Sequence, residues 1–223
     1  MKTPIAKKIP HELSIHGDVR IDDYFWLNQR ENPEVIDYLN QENLYQEEMM
    51  RHTLDLQNQL FEEILGRIKQ DDVSYPVKRN GYYYYTRYEE GKQYPIYCRR
   101  KDDMDNPEQV FLNCNEMAEG HHYFDIGAYS VSPNNELLAY SVDTVSRRQY
   151  DIRFKSLDVS EHASHFPDVI KNTTGNMVWA NDNETIFYSA KDETLRSCKI
   201  MRHKLGDSPD NDELVYFEED TAF

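Results

Sequence analysis

Two pairs of histidines are the first residues whose type and spacing could do chemistry. His121 and His122 are adjacent, and His162 is followed three residues later by His165, so each pair could share a metal ion. Zinc sites need further Cys ligands at set spacings or a helical His-Glu-x-x-His. Neither pair has them. We interpret the four residues as loop histidines exposed to water, and we predict no metal and no cofactor.

Carboxylates cluster at Asp102, Asp103 and Asp105, which could begin a calcium-binding loop. Asn106-Pro107 then follows where the EF-hand pattern requires Gly and, later, Glu. We therefore expect a polar loop between two strands.

A serine nucleophile of the α/β-hydrolase type lies in a Gly-x-Ser-x-Gly turn, because only small neighbours tolerate the strained backbone that exposes the hydroxyl. The nearest phrase is Gly127-Ala-Tyr-Ser130-Val-Ser. It lacks the second Gly and lies on a predicted strand, so Ser130 is expected to be structural. The sequence also lacks a Walker loop and a Rossmann fingerprint. We predict no catalytic, cofactor-binding or metal-binding residue in this chain.

Three cysteines, Cys98, Cys114 and Cys198, are scattered without CxxC spacing. This pattern suits small buried residues in a reducing compartment better than a disulfide framework. No basic and apolar leader opens the sequence, and no apolar run reaches the length that spans a bilayer. We expect a cytoplasmic protein without a membrane partner.

The charge balance argues against nucleic acid as a partner. The net charge is −16, from 25 Lys and Arg against 41 Asp and Glu, whereas phosphate binding needs clustered cations. The basic spots Arg99-Arg100-Lys101 and Arg147-Arg148 are expected to be solvated or paired with the surplus carboxylates. The acidic balance would weakly attract cationic ligands.

Helical patterns occupy the N-terminal third. Residues 1 to about 30 show no sustained periodicity and are interpreted as an arm, but Asn32-Pro33-Glu34 then has the residue types of a helix start. A first helix is predicted from there to about Arg51. A second apolar stripe ends at Gly66 and consists of Leu56, Leu60, Phe61, Ile64 and Leu65. Both are interpreted as packing helices that face a core.

From about Val73 the period changes to two, and the 17 tyrosines of the chain favour half-buried strands. Asn80-Gly81 is a hairpin turn signal. We predict a mainly β body in which strands follow one another in antiparallel order. The predicted strands cover 82–88, 94–100, 125–132, 136–142, 150–157, 169–172, 185–190, 198–205 and 213–217.

A repeat organises these strands. The segment from Val131 to Ser141 is similar to the segment from Trp179 to Ser189. Three residue types recur 48 residues apart: Tyr at 140 and 188, Ile at 152 and 200, and Leu at 157 and 205. A looser earlier copy places Tyr84 before Tyr140 and Ile96 before Ile152, each pair 56 residues apart. About three units result, at roughly 73–123, 124–175 and 176–223. Strand-rich repeats of this length are typical of β-propeller blades. Because a propeller needs at least four blades to close, three blades make a partial propeller.

Specific phrases resemble a known family. They are Glu89–Lys101, Ser146–Phe154, Val131-Ser-Pro-Asn134 and the arm His16–Leu27. From about Lys7 to Phe223 the chain resembles the oligopeptidase B branch of the prolyl oligopeptidase family of serine peptidases. The resemblance implies a seven-bladed propeller that caps an α/β-hydrolase domain. Residues 1–72 would pack on that hydrolase domain, and residues 73–223 would form the first three blades.

The resemblance also implies an activity. Enzymes of this branch cleave short peptides after Arg or Lys, with Ser as nucleophile, His as base and then acid, and Asp orienting His. The propeller admits flexible oligopeptides and excludes folded proteins. These catalytic residues would lie in the hydrolase domain, and both that domain and the remaining blades are absent from this sequence. The present chain is therefore expected to be the inactive gating part of a full-length peptidase. Its implied partners are oligopeptide substrates and the hydrolase domain.

A second hypothesis belongs to a different class. Sheets with open edges pair with other strands, so the chain could be a non-catalytic, propeller-like binding module that self-associates through those edges.

Overall fold

Alternating side chains and Asn-rich turns build most of this chain into antiparallel sheets. The computed structural model describes residues 2–158 and 165–222, with the backbone alone for His165. The described chain is mainly β with a helical N-terminal segment, which confirms the predicted class. It divides into two units, Met1–Lys69 and Gln70–Phe223. In the described residues, no helix is both long enough and apolar enough to cross a membrane.

The first unit holds the predicted helices and an unpredicted hairpin. The hairpin strands are β1 (His11–Ile15) and β2 (Asp18–Asp22), and short 3-10 turns cover Phe25–Asn28 and Arg51–Thr53. Helix α1 spans Pro33–Met50 and α2 spans Leu54–Leu65. Helix α1 begins as the sequence predicts, since the Asn32 side chain accepts a hydrogen bond from the Glu34 N–H at 3.0 Å.

The apolar stripe of α2 is not buried. Val35 of α1 is 2% exposed, but Leu56, Leu60, Phe61 and Ile64 of α2 are between 46% and 62% exposed. Leu39 and Met49 of α1 are each 52% exposed as well. Within the described residues, the expectation that the two stripes face a core is therefore wrong for most of both stripes. Removing apolar area from water is favourable by about 25 cal/mol per Å². Burial of this face against another surface would therefore stabilise the protein.

The first sheet of the second unit has four strands. They are β3 (Val77–Arg79), β4 (Tyr82–Arg87), β5 (Ile96–Lys101) and β6 (Gln109–Asn113), in that spatial order. Asn80 and Gly81 have φ values of 47° and 80°. Positive φ at both central residues is the turn geometry that matches strand twist in a two-residue hairpin.

The second sheet has seven strands in chain order, after a short helix α3 (Cys114–Met117). They are β7 (Asp125–Val131), β8 (Leu137–Asp143), β9 (Tyr150–Ser156), β10 (His165–Trp179), β11 (Thr185–Lys191), β12 (Ser197–Lys204) and β13 (Glu213–Phe217). The predicted strands of these two repeats are confirmed, with ends that move by one or two residues. The exception is β10, which extends well beyond the predicted 169–172.

Strand β10 belongs to both repeats. Its first half pairs with β9 as far as Thr173, and its second half pairs with β11 from Thr173 to Trp179. The register shifts between Thr173 and Met177, and Asn172 and Gly175 have positive φ values of 57° and 91°. This bend lets the last strand of one repeat continue into the first strand of the next. The seven strands are thus two four-stranded repeats that share β10.

The core lies between neighbouring repeats. One buried cluster joins Phe111 and Leu112 of β6 to Leu138 and Tyr140 of β8. A second cluster surrounds the later strands, with Ile152, Phe154, Trp179, Ile186 and Tyr188. The repeat landmarks Tyr140 and Tyr188 are 6% and 7% exposed. Each sheet therefore buries its faces against the next one, as stacked repeats require.

Candidate functional site: the turn row and the tyrosine cleft

The histidines that could bind metal do not converge in the structure. His121 and His122 are exposed, in the loop before β7. His162 lies outside the described residues, as does the side chain of His165. Across the parts of the chain that the structure describes, no three His, Cys, Asp or Glu side chains are placed to hold a metal ion.

The aspartate cluster and Ser130 shape the backbone. Asp102 donates its N–H to the Gly81 carbonyl at 2.7 Å, and the Asp103 carboxylate accepts the Asp105 N–H at 3.0 Å, which closes the loop between β5 and β6. Ser130 lies on β7, where its carbonyl accepts the Trp179 indole N–H at 3.0 Å. That bond joins the first strand of one repeat to the first strand of the next.

The three cysteines are buried and free. Burial raises the pKa of the Cys98 and Cys114 thiols to about 12. Since the thiolate is the reactive form, neither of these two is a nucleophile at neutral pH.

Arg99 corrects the sequence interpretation of the basic spots. It is neither solvated nor paired with a carboxylate in the described structure: it is 2% exposed and its guanidinium bonds to neutral groups. Its Nε donates to Gln109 Oε1 at 2.7 Å, its Nη1 donates to the Asn135 carbonyl at 3.0 Å, and it lies 4.2 Å from the centre of the Tyr82 ring. Gln109 in turn donates to the Leu157 carbonyl at 2.6 Å. Arg99 and Gln109 thus connect the first repeat to the second.

The turns that follow the first strand of each repeat lie side by side, and we call them the turn row: residues 80–81, 132–136 and 180–184. The Asn135 side chain donates to the Asn80 carbonyl at 3.2 Å, and the Asn134 N–H donates to the Asn183 side-chain oxygen at 2.8 Å. Asn80, Asn135 and Asn183 all have positive φ, at 47°, 67° and 61°, which asparagine tolerates better than most residues. The turn row therefore fixes three repeats at one end.

Asp182 stiffens the third turn. Its carboxylate accepts the Thr185 hydroxyl at 2.6 Å and the N–H groups of Glu184 and Thr185 at 3.0 and 2.9 Å. These bonds favour the ionised form, the Thr185 hydroxyl most, and lower the pKa of Asp182 to about 2.

An aromatic ring packs against the bend in β10, where the second repeat continues into the third. Tyr150 packs against Gly127 and Gly175, where an added Cβ would lie 2.7 and 2.9 Å from the ring. Its hydroxyl donates to Asp125 at 2.7 Å, and burial followed by this bond raises the pKa of Tyr150. The Ser141 hydroxyl donates to the Gly175 carbonyl at 2.9 Å. The bend in β10 is therefore enclosed by packed and hydrogen-bonded groups.

The sequence gives no motif for a buried polar cluster in the third repeat. His203 is fully buried, with Nδ1 2.6 Å from Asp212 Oδ1 and Nε2 3.7 Å from Asp168 Oδ2. Tyr188 donates to the other Asp212 oxygen at 2.7 Å. The residues resemble an acid–base set, but their spacing along the chain matches no known pattern. Because His203 has no exposed surface, no substrate reaches it, and the cluster links β10 to β12 instead.

A cleft of about 310 Å³ opens between the first sheet and β7. It is lined chiefly by tyrosines, among them Tyr75, Tyr84 and Tyr129, with Arg79 at the end of β3. The Tyr129 ring is packed against Tyr97 and Phe111, at centroid distances of 5.0 and 5.1 Å. Its burial raises the pKa of its phenol, and nearby Arg79 opposes that rise. The cleft is a concave surface whose lining, among the described residues, includes no Asp, Glu or His to serve as an acid–base pair for catalysis.

The comparisons with known proteins agree on one family. A sequence model of the prolyl oligopeptidase N-terminal β-propeller domain matches residues 4–223. Dipeptidyl aminopeptidase BI of Pseudoxanthomonas mexicana is 43% identical over 98% of this chain and 32% of its own length. Protease 2 of Moraxella lacunata is 38% identical over 100% of this chain and 33% of its own length. The structure of oligopeptidase B from Leishmania major has a TM-score of 0.91 and 33% identity, and the match covers 98% of this chain and 33% of that chain.

The chain therefore spans about a third of the length of these relatives. The propeller expectation is confirmed for the part that is present. The similarity covers about a third of each relative, and it establishes the fold and the family of this chain.

Proposed function

Because this chain belongs to the prolyl oligopeptidase family, through its N-terminal β-propeller domain, we propose that it is the gating part of a serine oligopeptidase. The full-length protein would cleave short peptides after Arg or Lys, in the cytoplasm, with its catalytic Ser, Asp and His outside residues 1–223. The exposed apolar stripe of α2 suits a surface that packs on the hydrolase domain.

The turn row is the observation that carries the gating proposal. A filter excludes folded proteins only if its width is fixed, and width is fixed only if neighbouring repeats cannot separate. Asn134 to Asn183, Asn135 to Asn80 and Trp179 to Ser130 are hydrogen bonds between repeats. They join the first strand or the turn after it in each repeat to the corresponding part of the next repeat. The first strands would then line an opening that passes flexible peptides.

The catalytic half of the proposal is tested on the full-length protein. A fluorophosphonate probe is expected to label one serine, and mapping of the labelled peptide is expected to place it outside residues 1–223. Fluorogenic peptides with Arg or Lys before the cleaved bond are expected to be hydrolysed faster than matched peptides with Pro. Faster release of N-terminal dipeptides, the activity that the name of the 43% identical relative describes, would refute the Arg/Lys preference.

The gating half is tested by loosening the turn row. We expect Asn183→Ala combined with Trp179→Phe to increase cleavage of a long or folded substrate while cleavage of a short peptide stays unchanged. Asn211→Ala is the matched control, because Asn211 is exposed and lies outside the turn row. Equal changes for short and long substrates would argue against a filter.

The alternative, a self-associating binding module, rests on a separate observation. All five residues of β13, the last strand of its sheet, are exposed. An exposed edge strand offers unpaired backbone groups to another chain. This function requires association of the full-length protein in solution without peptide cleavage.

A further inference from the structure

The charged side chain that lines the tyrosine cleft is cationic, although the chain as a whole is acidic. Acidic residues outnumber basic ones by 41 to 25 in the sequence, yet the residues that line the cleft include Arg79 and no Asp or Glu. Glu108, which accepts the hydroxyl of the lining residue Tyr85 at 2.5 Å, is ion-paired with Arg87 at 3.2 Å. Arg79 therefore contributes the one formal charge among the described residues that line the cleft.

Arg79 also stands apart from the arginines and lysines around it. Lys78 lies 5.0 Å from the centre of the Tyr83 ring, and Arg99 lies over Tyr82 and bonds to Gln109. Arg87 is paired with Glu89 and Glu108. By contrast, the guanidinium of Arg79 makes no hydrogen bond, ion pair or ring contact with any residue that the structure describes. Its five donors are available to a ligand.

The remaining lining groups add further donors and an apolar floor. Tyr129 is half-buried with its ring held by two aromatic neighbours, and its hydroxyl has no partner within the described residues. Tyr75, which also lines the cleft, is 95% exposed, and Val131 contributes an apolar side chain. A planar guanidinium and a phenolic hydroxyl that line one cleft suit a carboxylate, which accepts two parallel hydrogen bonds from arginine. A volume of about 310 Å³ admits a short peptide end and little more.

We propose that the tyrosine cleft binds the carboxylate of a short peptide, with Arg79 as its ionic partner, Tyr129 as a second donor and the tyrosine rings against the neighbouring side chain. The carboxylate comes from the peptide C-terminus. The peptide nature of the ligand rests on the proposed function, whereas the preference for a carboxylate rests on the lining alone. In a peptidase, such a site would hold substrates or products by the end that is not being cleaved.

The test measures binding to the full-length protein by calorimetry. Three peptides without Arg or Lys are compared: N-acetyl-Ala-Phe-Ala as the free acid, the same peptide as the C-terminal amide, and the amide of N-acetyl-Ala-Asp-Ala. The free acid is expected to bind about ten- to a hundredfold more tightly than its amide, the range of charge-assisted hydrogen bonds. Tight binding of the Asp-containing amide in place of the free acid would overturn the assignment to the C-terminus.

Two variants assign the effect to the cleft. Arg79→Gln is expected to remove the preference for the acid, and Tyr129→Phe is expected to weaken it about fivefold through loss of one hydrogen bond. Arg147→Gln is the matched control, because Arg147 is exposed and lies outside the cleft. Equal affinity for acid and amide, or an equal loss in Arg79→Gln and Arg147→Gln, would overturn the inference. A protein that cleaves no peptide but prefers the acid would refute the proposed function and leave this inference standing.

Discussion

Arg99 shows how one side chain can join two repeats. Its burial removes water from a charged group, and that removal is costly unless hydrogen bonds replace the water. Gln109, Asn135 and the Tyr82 ring supply the replacement. Because these partners are neutral, the contact keeps its geometry whatever the salt concentration, unlike a surface ion pair.

We predict that Arg99→Ala lowers the free energy of unfolding by about 2 to 4 kcal/mol, since it leaves buried acceptors without a donor. Arg99→Lys is expected to recover only part of the loss, because an ammonium cannot reproduce the planar fork that stacks on Tyr82. Urea titration measures both. Arg147→Ala, at an exposed position, should change the free energy by less than about 0.5 kcal/mol. A loss as small as that in Arg99→Ala would show that the repeats do not depend on this contact.

Asp182 gives a prediction about pH. Its hydrogen bonds lower its pKa to about 2 from an ordinary value of 3.8. A carboxyl group whose pKa is lower in the folded state stabilises the fold fully above its unfolded pKa, and the contribution is lost as pH falls toward the folded value. The contribution of Asp182 is therefore expected to be complete above about pH 4 and to disappear between about pH 4 and pH 2.

The measurement compares urea midpoints across that window. Asp182→Asn should show a shallower decline than the parent protein, because it has no proton to bind at this site. Asp207→Asn, at an exposed aspartate nearby in sequence, should follow the parent curve. A parent-like curve in Asp182→Asn as well would mean that the third turn gains nothing from the carboxylate.

At the scale of elements, the glycines in and around the bend of β10 show two reasons why a position needs glycine: a positive φ and a lack of room for a Cβ. Gly206 has a φ of +93° with no atom near its missing Cβ, Gly127 has collisions without positive φ, and Gly175 has both, at φ +91°. Forcing a side chain into left-handed backbone costs about 1–2 kcal/mol, and overpacking costs about 1–3 kcal/mol.

We therefore predict that Gly175→Ala destabilises more than either Gly206→Ala or Gly127→Ala, and by roughly their sum. Thermal or urea unfolding of the three variants checks the order. The double variant Gly127→Ala, Tyr150→Ala isolates the collision, because removing the ring leaves the new Cβ little to strike and the two losses should not add. Additive losses would mean that Tyr150 does not enclose the bend.

The elements differ in how far sequence alone predicted them. Strands β11 to β13 were predicted closely because alternation and Asn-containing turns are local signals. Hairpin β1–β2 was missed, since its alternation spans only a few residues around Leu13 and Ile15. The full length of β10 was also missed, because its bend depends on Tyr150, which is distant in sequence. The cleft escaped prediction for the same reason, because Arg79 and Tyr129 line one cleft only when two sheets pack.

For the whole molecule, two exposed apolar surfaces act against the net charge. On α2, Leu56, Leu60, Phe61 and Ile64 are exposed, and four of the five exposed residues of β13 are apolar: Leu214, Val215, Tyr216 and Phe217. Surfaces of this kind promote association, whereas a charge of −16 on each copy opposes it. Salt screens charge repulsion, because the Debye length falls to about 8 Å at physiological ionic strength. It does not weaken apolar contacts in this way.

We predict that the 223-residue chain on its own is monomeric at low salt and self-associates as salt rises, as measured by sedimentation velocity. Phe61→Lys and Val215→Lys each test one surface, and Val145→Lys is the control, because Val145 is 60% exposed in the loop after β8 and the change in charge is the same. Loss of association in Val215→Lys alone would favour pairing through the open edge, as the binding-module hypothesis requires. Loss in Phe61→Lys alone would favour the helical face, which the peptidase hypothesis assigns to the hydrolase domain. Association that all three variants leave intact would contradict both assignments, since neither surface would then be the one that joins the copies.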